Sequence, residues 1–157
     1  MILNYKEEEL IGKIASVDTG TAIAFIPDDK KMSELQINQL IAVNSPRAGT
    51  HIIGMIVKMS RRLDEKILQN DIDDEKNDEN VVLPSNAIKL VFVGELRDKE
   101  GIKLNVFKRN VTTLPNIQSS CFRIDGDKLT KLMECISTIA ANAVTPLSLG
   151  KYFIDEN

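Results

Sequence analysis

The chain has 157 residues, of which 43% are apolar and 27% charged, and its formal net charge is −3. This is the size of one domain that can bury a core of its own. Aromatics are only 4% and tryptophan is absent, so the core must be aliphatic, and the acidic balance excludes a surface that is basic throughout, as a nucleic-acid-coating protein would have.

The N-terminus, MILNYKEEEL, has no cationic start and no long apolar run. It does not read as a signal peptide, and no stretch reaches the roughly 18 apolar residues of a membrane span. Leu10–Asp18 (LIGKIASVD) and Thr21–Ile26 (TAIAFI) flank the turn Thr19-Gly20 and predict a hairpin. Asp28–Asn38 is polar and reads as a loop with one short turn. Gln39–Asn44 (QLIAVN) and Thr50–Met59 (THIIGMIVKM) predict the third and fourth strands, separated by Ser45-Pro46-Arg47-Ala48-Gly49. Gly12 and Gly54 sit inside short aliphatic strands, where glycine marks a bulge or the corner of a strongly curved barrel.

The segment 60–80 changes character. Asp71, Asp73, Asp74, Glu75, Asp78 and Glu79 stand against Lys76 alone, so it is expected to be a solvated, mobile acidic loop. A calcium loop is excluded, because the run lacks the glycine that such a loop needs at its sixth position. Val81–Pro84 reads as an extended entry and Ala87–Leu96 as a strong strand. A charged loop, Phe107, a turn at Pro115-Asn116 and an alternating strand at Ser119–Ile124 follow. Leu129, Leu132, Met133 and Ile136 then recur with helical spacing, with Asp125 or Asp127 to cap the helix. Thr145-Pro146 breaks it, and Leu147–Ile154 is a last extended segment. The fold class predicted is mainly β: a small closed antiparallel barrel of about six strands with one C-terminal helix, divided as 1–125 and 126–157.

Little in the sequence carries chemistry. His51 is the only histidine, opens an apolar strand and has no nucleophile motif to serve, so it reads as an ordinary strand-end residue. The paired carboxylates of the acidic run have nothing to hold them at a fixed separation or to raise a pKa. Cys121 and Cys135 have no metal-ligand spacing and read as small buried hydrophobes suited to a reducing, cytoplasmic setting. Gly12-Lys13 and Gly150-Lys151 are not followed by Ser or Thr, so no Walker A loop is present. No catalytic, cofactor or metal residue is assigned. Arg97, Lys99, Lys103, Lys108 and Arg109 cluster with Arg61 and Arg62 nearby, partly offset by Asp98 and Glu100. They read as a solvated loop, with a weak contact to nucleic acid or a neighbouring subunit as the sharper alternative.

The ordered series of motifs resembles the N-terminal barrel of HerA-type hexameric DNA-translocating ATPases, the HAS barrel that rotary ATP synthase subunits share. IGKIASVDTGTAIAFI resembles its opening hairpin, LIAVNS and IIGMIVKM the next pair. VFVGEL followed by Phe107-Lys108-Arg109-Asn110-Val111 and Leu114-Pro115 resembles its G-x-L … F-x-R-G-V … P stretch. LSLGKYF resembles the strand that leads into the ATPase core. Asn38 and Asn110 stand where the pattern has turn glycines, and Asn is the residue that best replaces Gly at positive φ. The resemblance implies a non-catalytic collar that helps assemble a hexamer and docks a partner nuclease or a phage-defence effector. ATP and Mg²⁺ would belong to an ATPase core beyond Asn157, and DNA to the complete ring. Arg97–Lys103 and Asp28–Gln39 are the expected subunit contacts. A stand-alone OB-like module binding single-stranded nucleic acid is the alternative, disfavoured by the acidic charge and scarce aromatics.

Overall fold

The computed structural model describes residues 3–64 and 83–140, with backbone alone for 62–64, 83–85 and 138–140. The strands are β1 (Leu10–Asp18), β2 (Thr21–Phe25), β3 (Leu40–Asn44), β4 (Thr50–Asp64), β5 (Leu83–Glu100), β6 (Lys103–Lys108) and β7 (Ser120–Arg123). A short helix, α1 (Asp29–Ser33), follows β2, and α2 (Gly126–Ala140) follows β7. The sheet runs β2-β1-β7-β3-β4-β5, and a β2–β5 pairing closes it into a six-stranded barrel, with β6 added along β5. Every strand pairing is antiparallel. The expected fold class is therefore the observed one.

Curvature comes from bulges. Register shifts interrupt β1–β2 between Ile14 and Ser16, β1–β7 between Leu10 and Gly12, and β4–β5 at both Ile53/Gly54 and Ile56/Lys58. Each extra residue bends its strand and sharpens the twist, which a small closed barrel requires. Gly12 serves a close approach as well. A Cβ there would stand 2.2 Å from the Phe25 carbonyl oxygen. Gly94 is equally tight, with the Lys108 carbonyl oxygen at 2.2 Å from its would-be Cβ.

Two apolar clusters share the sheet. The barrel interior holds Ile14, Ala24, Ile26, Ile41, Val43, Ile52, Ile56, Ile88 and Leu90, and Met32 and Leu35 of the α1 region join it. The second cluster lies outside the barrel wall, where Leu40, Ala42, Ile53, Leu96 and Phe107 meet Leu3 and Leu132. β3 thus buries both faces, which accounts for its unbroken apolar run in place of alternation. The predicted helix face is the one α2 turns to this wall: Leu132 is fully buried, with Leu129, Met133 and Ile136 packed around it.

Several local expectations change. Asp28–Asn38 is not all loop, because Asp28 caps α1 by accepting from the amides of Lys30 (2.8 Å) and Lys31 (3.3 Å). Ser60–Asp64 extends β4 rather than opening a loop. The acidic run Asp71–Glu79, the break at Thr145-Pro146 and the segment Leu147–Ile154 lie outside the described residues. The charged stretch after Leu96 is a hairpin, since β5 runs on to Glu100 and β6 begins at Lys103. Asn38 does adopt positive φ (69°), whereas Asn110 does not; Asn105 and Gln118 do. The α2 start takes its carbonyl from Asp125, which accepts from the Lys128 and Leu129 amides at 3.0 and 3.1 Å. The Asp125 carboxylate goes instead to Arg123 Nε at 2.5 Å.

Candidate interaction surface on the hairpin

The β5–β6 hairpin carries four of the five basic residues singled out in the sequence, and Arg109 follows it directly. Its register pairs Glu95 with Lys108, Arg97 with Val106, Lys99 with Leu104 and Glu100 with Lys103. The structure separates the five into two groups. Arg97 and Lys108 are engaged with carboxylates, while Lys99, Lys103 and Arg109 are exposed and carry no ion pair.

The engaged group is organised by Glu95. This residue is 1% exposed, and a carboxylate at that depth needs partners to remain charged. Arg97 Nη2 supplies one, and the Thr112 hydroxyl supplies another at 3.1 Å. Arg97 Nη2 also donates to Thr112 at 3.2 Å, and Nη1 reaches Glu100 at 3.0 Å. Lys108 Nζ closes the chain on Glu100. That hydrogen bond, with the charges of Lys108 and Arg97, holds the Glu100 carboxyl below the usual carboxylate range. Sequence reading treated Glu95 as part of a strand signature and missed its role. The available signal was an acid between Gly94 and Leu96 in an otherwise apolar strand.

Of the free group, Lys99 and Lys103 sit with apolar side chains at the tip, whereas Arg109 follows β6 at the base. Ile102, at the turn, is 98% exposed, and Leu104, directly opposite Lys99, is 69% exposed. Leu114 (44%) and Ile117 (54%), in the segment that leads from β6 to β7, are also exposed. The hairpin tip is therefore apolar and cationic, anchored at its base by a neutralised network. A large apolar residue left almost fully in water on an ordered strand pair has the character of a docking surface.

Two other polar clusters gather at the N-terminal segment; in the first, the Tyr5 hydroxyl and His51 Nδ1 are buried with no hydrogen-bond partner among the described residues. Near α2, the Tyr5 ring stacks on Phe122 with centroids 4.5 Å apart and meets His51 edge-on at 5.9 Å. Lys128 Nζ lies 4.3 Å from the centre of the Tyr5 ring and pairs with Glu9. His51 stands at the start of β4, a strand end as the sequence suggests, but it is buried rather than at the surface (6% exposed), and burial lowers its pKa. The second cluster lines a cleft of about 170 Å³ among Glu8, Glu9, Lys31, Glu34, Arg123 and Asp125. Arg123 bridges Glu34 (3.3 Å) and Asp125, and Lys31 Nζ donates to the carbonyls of Glu8 (3.0 Å) and Leu10 (2.6 Å). These bonds tie α1, β7 and the N-terminal segment together, and the cleft is smaller than the roughly 300 Å³ at which ligand pockets begin. Among the described residues no group of three or more His, Cys, Asp or Glu side chains is placed to hold a metal ion. No helix among them is long and apolar enough to cross a membrane.

No protein-family model matches the chain, and no curated protein matches it.

Proposed function

We propose that the chain is the N-terminal barrel of a HerA-like hexameric ATP-dependent DNA translocase, a non-catalytic collar that assembles the ring and docks a partner nuclease or defence effector. The observation that carries this reading is the β5–β6 tip, where Ile102 and Leu104 stand in water beside Lys99 and Lys103, which have no ion pair among the described residues. The closed six-stranded barrel and the single helix after it accord with the motif order that suggested the family. ATP and Mg²⁺ belong, in this reading, to a core encoded after Asn157, and DNA to the assembled ring.

A cyclic ring needs two different patches that match. The hairpin tip is one. The α1 region is the other, with Ile37 half exposed and Lys30 in solvent. Such contacts are small, and small polar interfaces are weak. Sedimentation at micromolar concentration tests the reading. The 157-residue chain should be monomeric and the protein extended through its ATPase core hexameric. Ile102→Asp with Leu104→Asp should leave the barrel folded and abolish assembly or partner docking. A monomeric extended protein, or a coding sequence after Asn157 without a Walker A motif, would overturn it.

A further inference from the structure

The barrel wall formed by β1, β2, β5 and β4 is not covered by α2, and its outward side chains fall into two adjacent rows. One row reads Lys13, Phe25, Ala87, Ser60; the next reads Ser16, Ile23, Lys89, Lys58. Lys13, Lys58 and Lys89 are all exposed and have no ion-pair partner among the described residues. Neither row contains a carboxylate. Phe25 and Ile23 between the lysines are 41% and 42% exposed, and Val57, the bulge residue before Lys58, is 39% exposed.

Lys58 and Lys89 are directly opposite each other in register. Like charges so placed destabilise a sheet, and among the described residues no ion pair offsets them. An anionic ligand would. The strip from Lys13 across Phe25 and Ile23 to Lys89 and Lys58 crosses four strands, about 14 Å at the usual strand spacing. We infer that this wall binds single-stranded nucleic acid, with phosphates on Lys13, Lys89 and Lys58 and a base lying on Phe25 beside Ile23. Alternating cations and an exposed ring are the elements of a sequence-tolerant strand-binding surface. The apolar pair lies half-covered in the barrel wall rather than at a protruding tip, a setting suited to a stacked base and not to a wedge entering a bilayer. The wall is about 30 Å along β5 from the hairpin tip, and the inference does not rest on the assembly reading.

The test is fluorescence anisotropy of a labelled oligothymidylate against the 157-residue chain at low salt, followed through a salt titration. The wild-type affinity should fall with a log–log slope of about −2, from three contacts at about −0.7 each for a single strand. Lys89→Glu should weaken binding at least tenfold and reduce the slope. It should also leave thermal stability equal or higher, because it converts a repulsive cross-strand pair into an attractive one. Phe25→Ala should weaken binding roughly tenfold, while Lys99→Glu and Lys103→Glu on the hairpin should leave it unchanged. Absence of binding at low salt would overturn the inference. So would equal losses from the hairpin variants, or capture of phosphatidylserine vesicles or polyglutamate in preference to the oligonucleotide.

Discussion

Glu95 and Arg97, two residues apart on β5, hold each other in a buried ion pair that also clamps Thr112 of the segment after β6. The pair fixes where that segment leaves the hairpin, and so it sets the base from which the exposed tip projects. Removing one partner should cost far more than removing both. Arg97→Met strands a carboxylate that is 1% exposed and should destabilise the barrel by about 3 kcal/mol or more. The double variant Glu95→Leu with Arg97→Met should recover most of that. Urea unfolding of the two singles and the double forms a cycle, and additive losses would show that the pair is not coupled.

Gly12 and Gly94 should reject even a methyl group. Their would-be Cβ atoms fall 2.2 Å from backbone carbonyl oxygens, which cannot move aside as a side chain can. Gly12→Ala and Gly94→Ala should each cost about 3 kcal/mol or leave the chain unfolded. Gly20→Ala has nothing within 4 Å and should be neutral or slightly stabilising, by up to about 1 kcal/mol. Thermal melts of the three variants give the comparison directly.

His51 should make stability depend on pH. Burial lowers its folded-state pKa, with Asp98 pulling weakly the other way, so below the ordinary value of about 6.5 the unfolded chain binds a proton that the folded chain resists. The contribution is complete above that value and is lost as pH falls through the folded value. The slope from this one proton is at most about 1.4 kcal/mol per pH unit. His51→Phe should flatten the stability profile between pH 6.5 and the carboxylate range. The loss due to Glu9 and Glu100, whose pKa values are lowered by their lysine partners, begins at lower pH and should persist. An unchanged profile in the variant would contradict this.

Cys121 should be silent towards thiol reagents in the folded protein. Burial pushes its thiol pKa up to about 12, and the reactive thiolate is correspondingly rare. Cys135 is less buried and also raised, by burial and by Glu134, so it should react slowly at neutral pH and first. Two-phase labelling, with the second phase tracking unfolding, is the expected trace.

The barrel was legible because its signals are local. Interior glycines, aliphatic runs and turn residues each mark one strand, and the spacing of Leu129, Leu132, Met133 and Ile136 marks the helix. The hairpin beyond Leu96 was not legible, since Arg97–Lys103 is polar on nearly every position and its pairing depends on the partner strand rather than on alternation. The burial of Glu95 depends on Arg97 and Thr112 closing over it, and that of His51 on the N-terminal segment that carries Tyr5, and no short window contains either. The lysine rows were equally hidden: Lys58 and Lys89 meet only through the β4–β5 pairing, and Lys13 joins their wall only when β2–β5 closes the sheet. The five residues expected to form a basic patch divided instead, because Glu95 and Glu100 claim two of them.

β7, the last described strand of the chain to appear, lies between β1 and β3. A chain emerging from a ribosome can form the β1–β2 hairpin, β3–β4 and β4–β5 as they appear, but Leu10 and Val43 must wait for Phe122 and Cys121. Until then two strand edges remain open, each a template for pairing with the wrong chain. Closure so late brings together the most distant parts of the molecule and should be the slow step of folding. Translation that stalls or ends before Arg123 would release a product with both edges unpaired, the form of this protein most prone to aggregate.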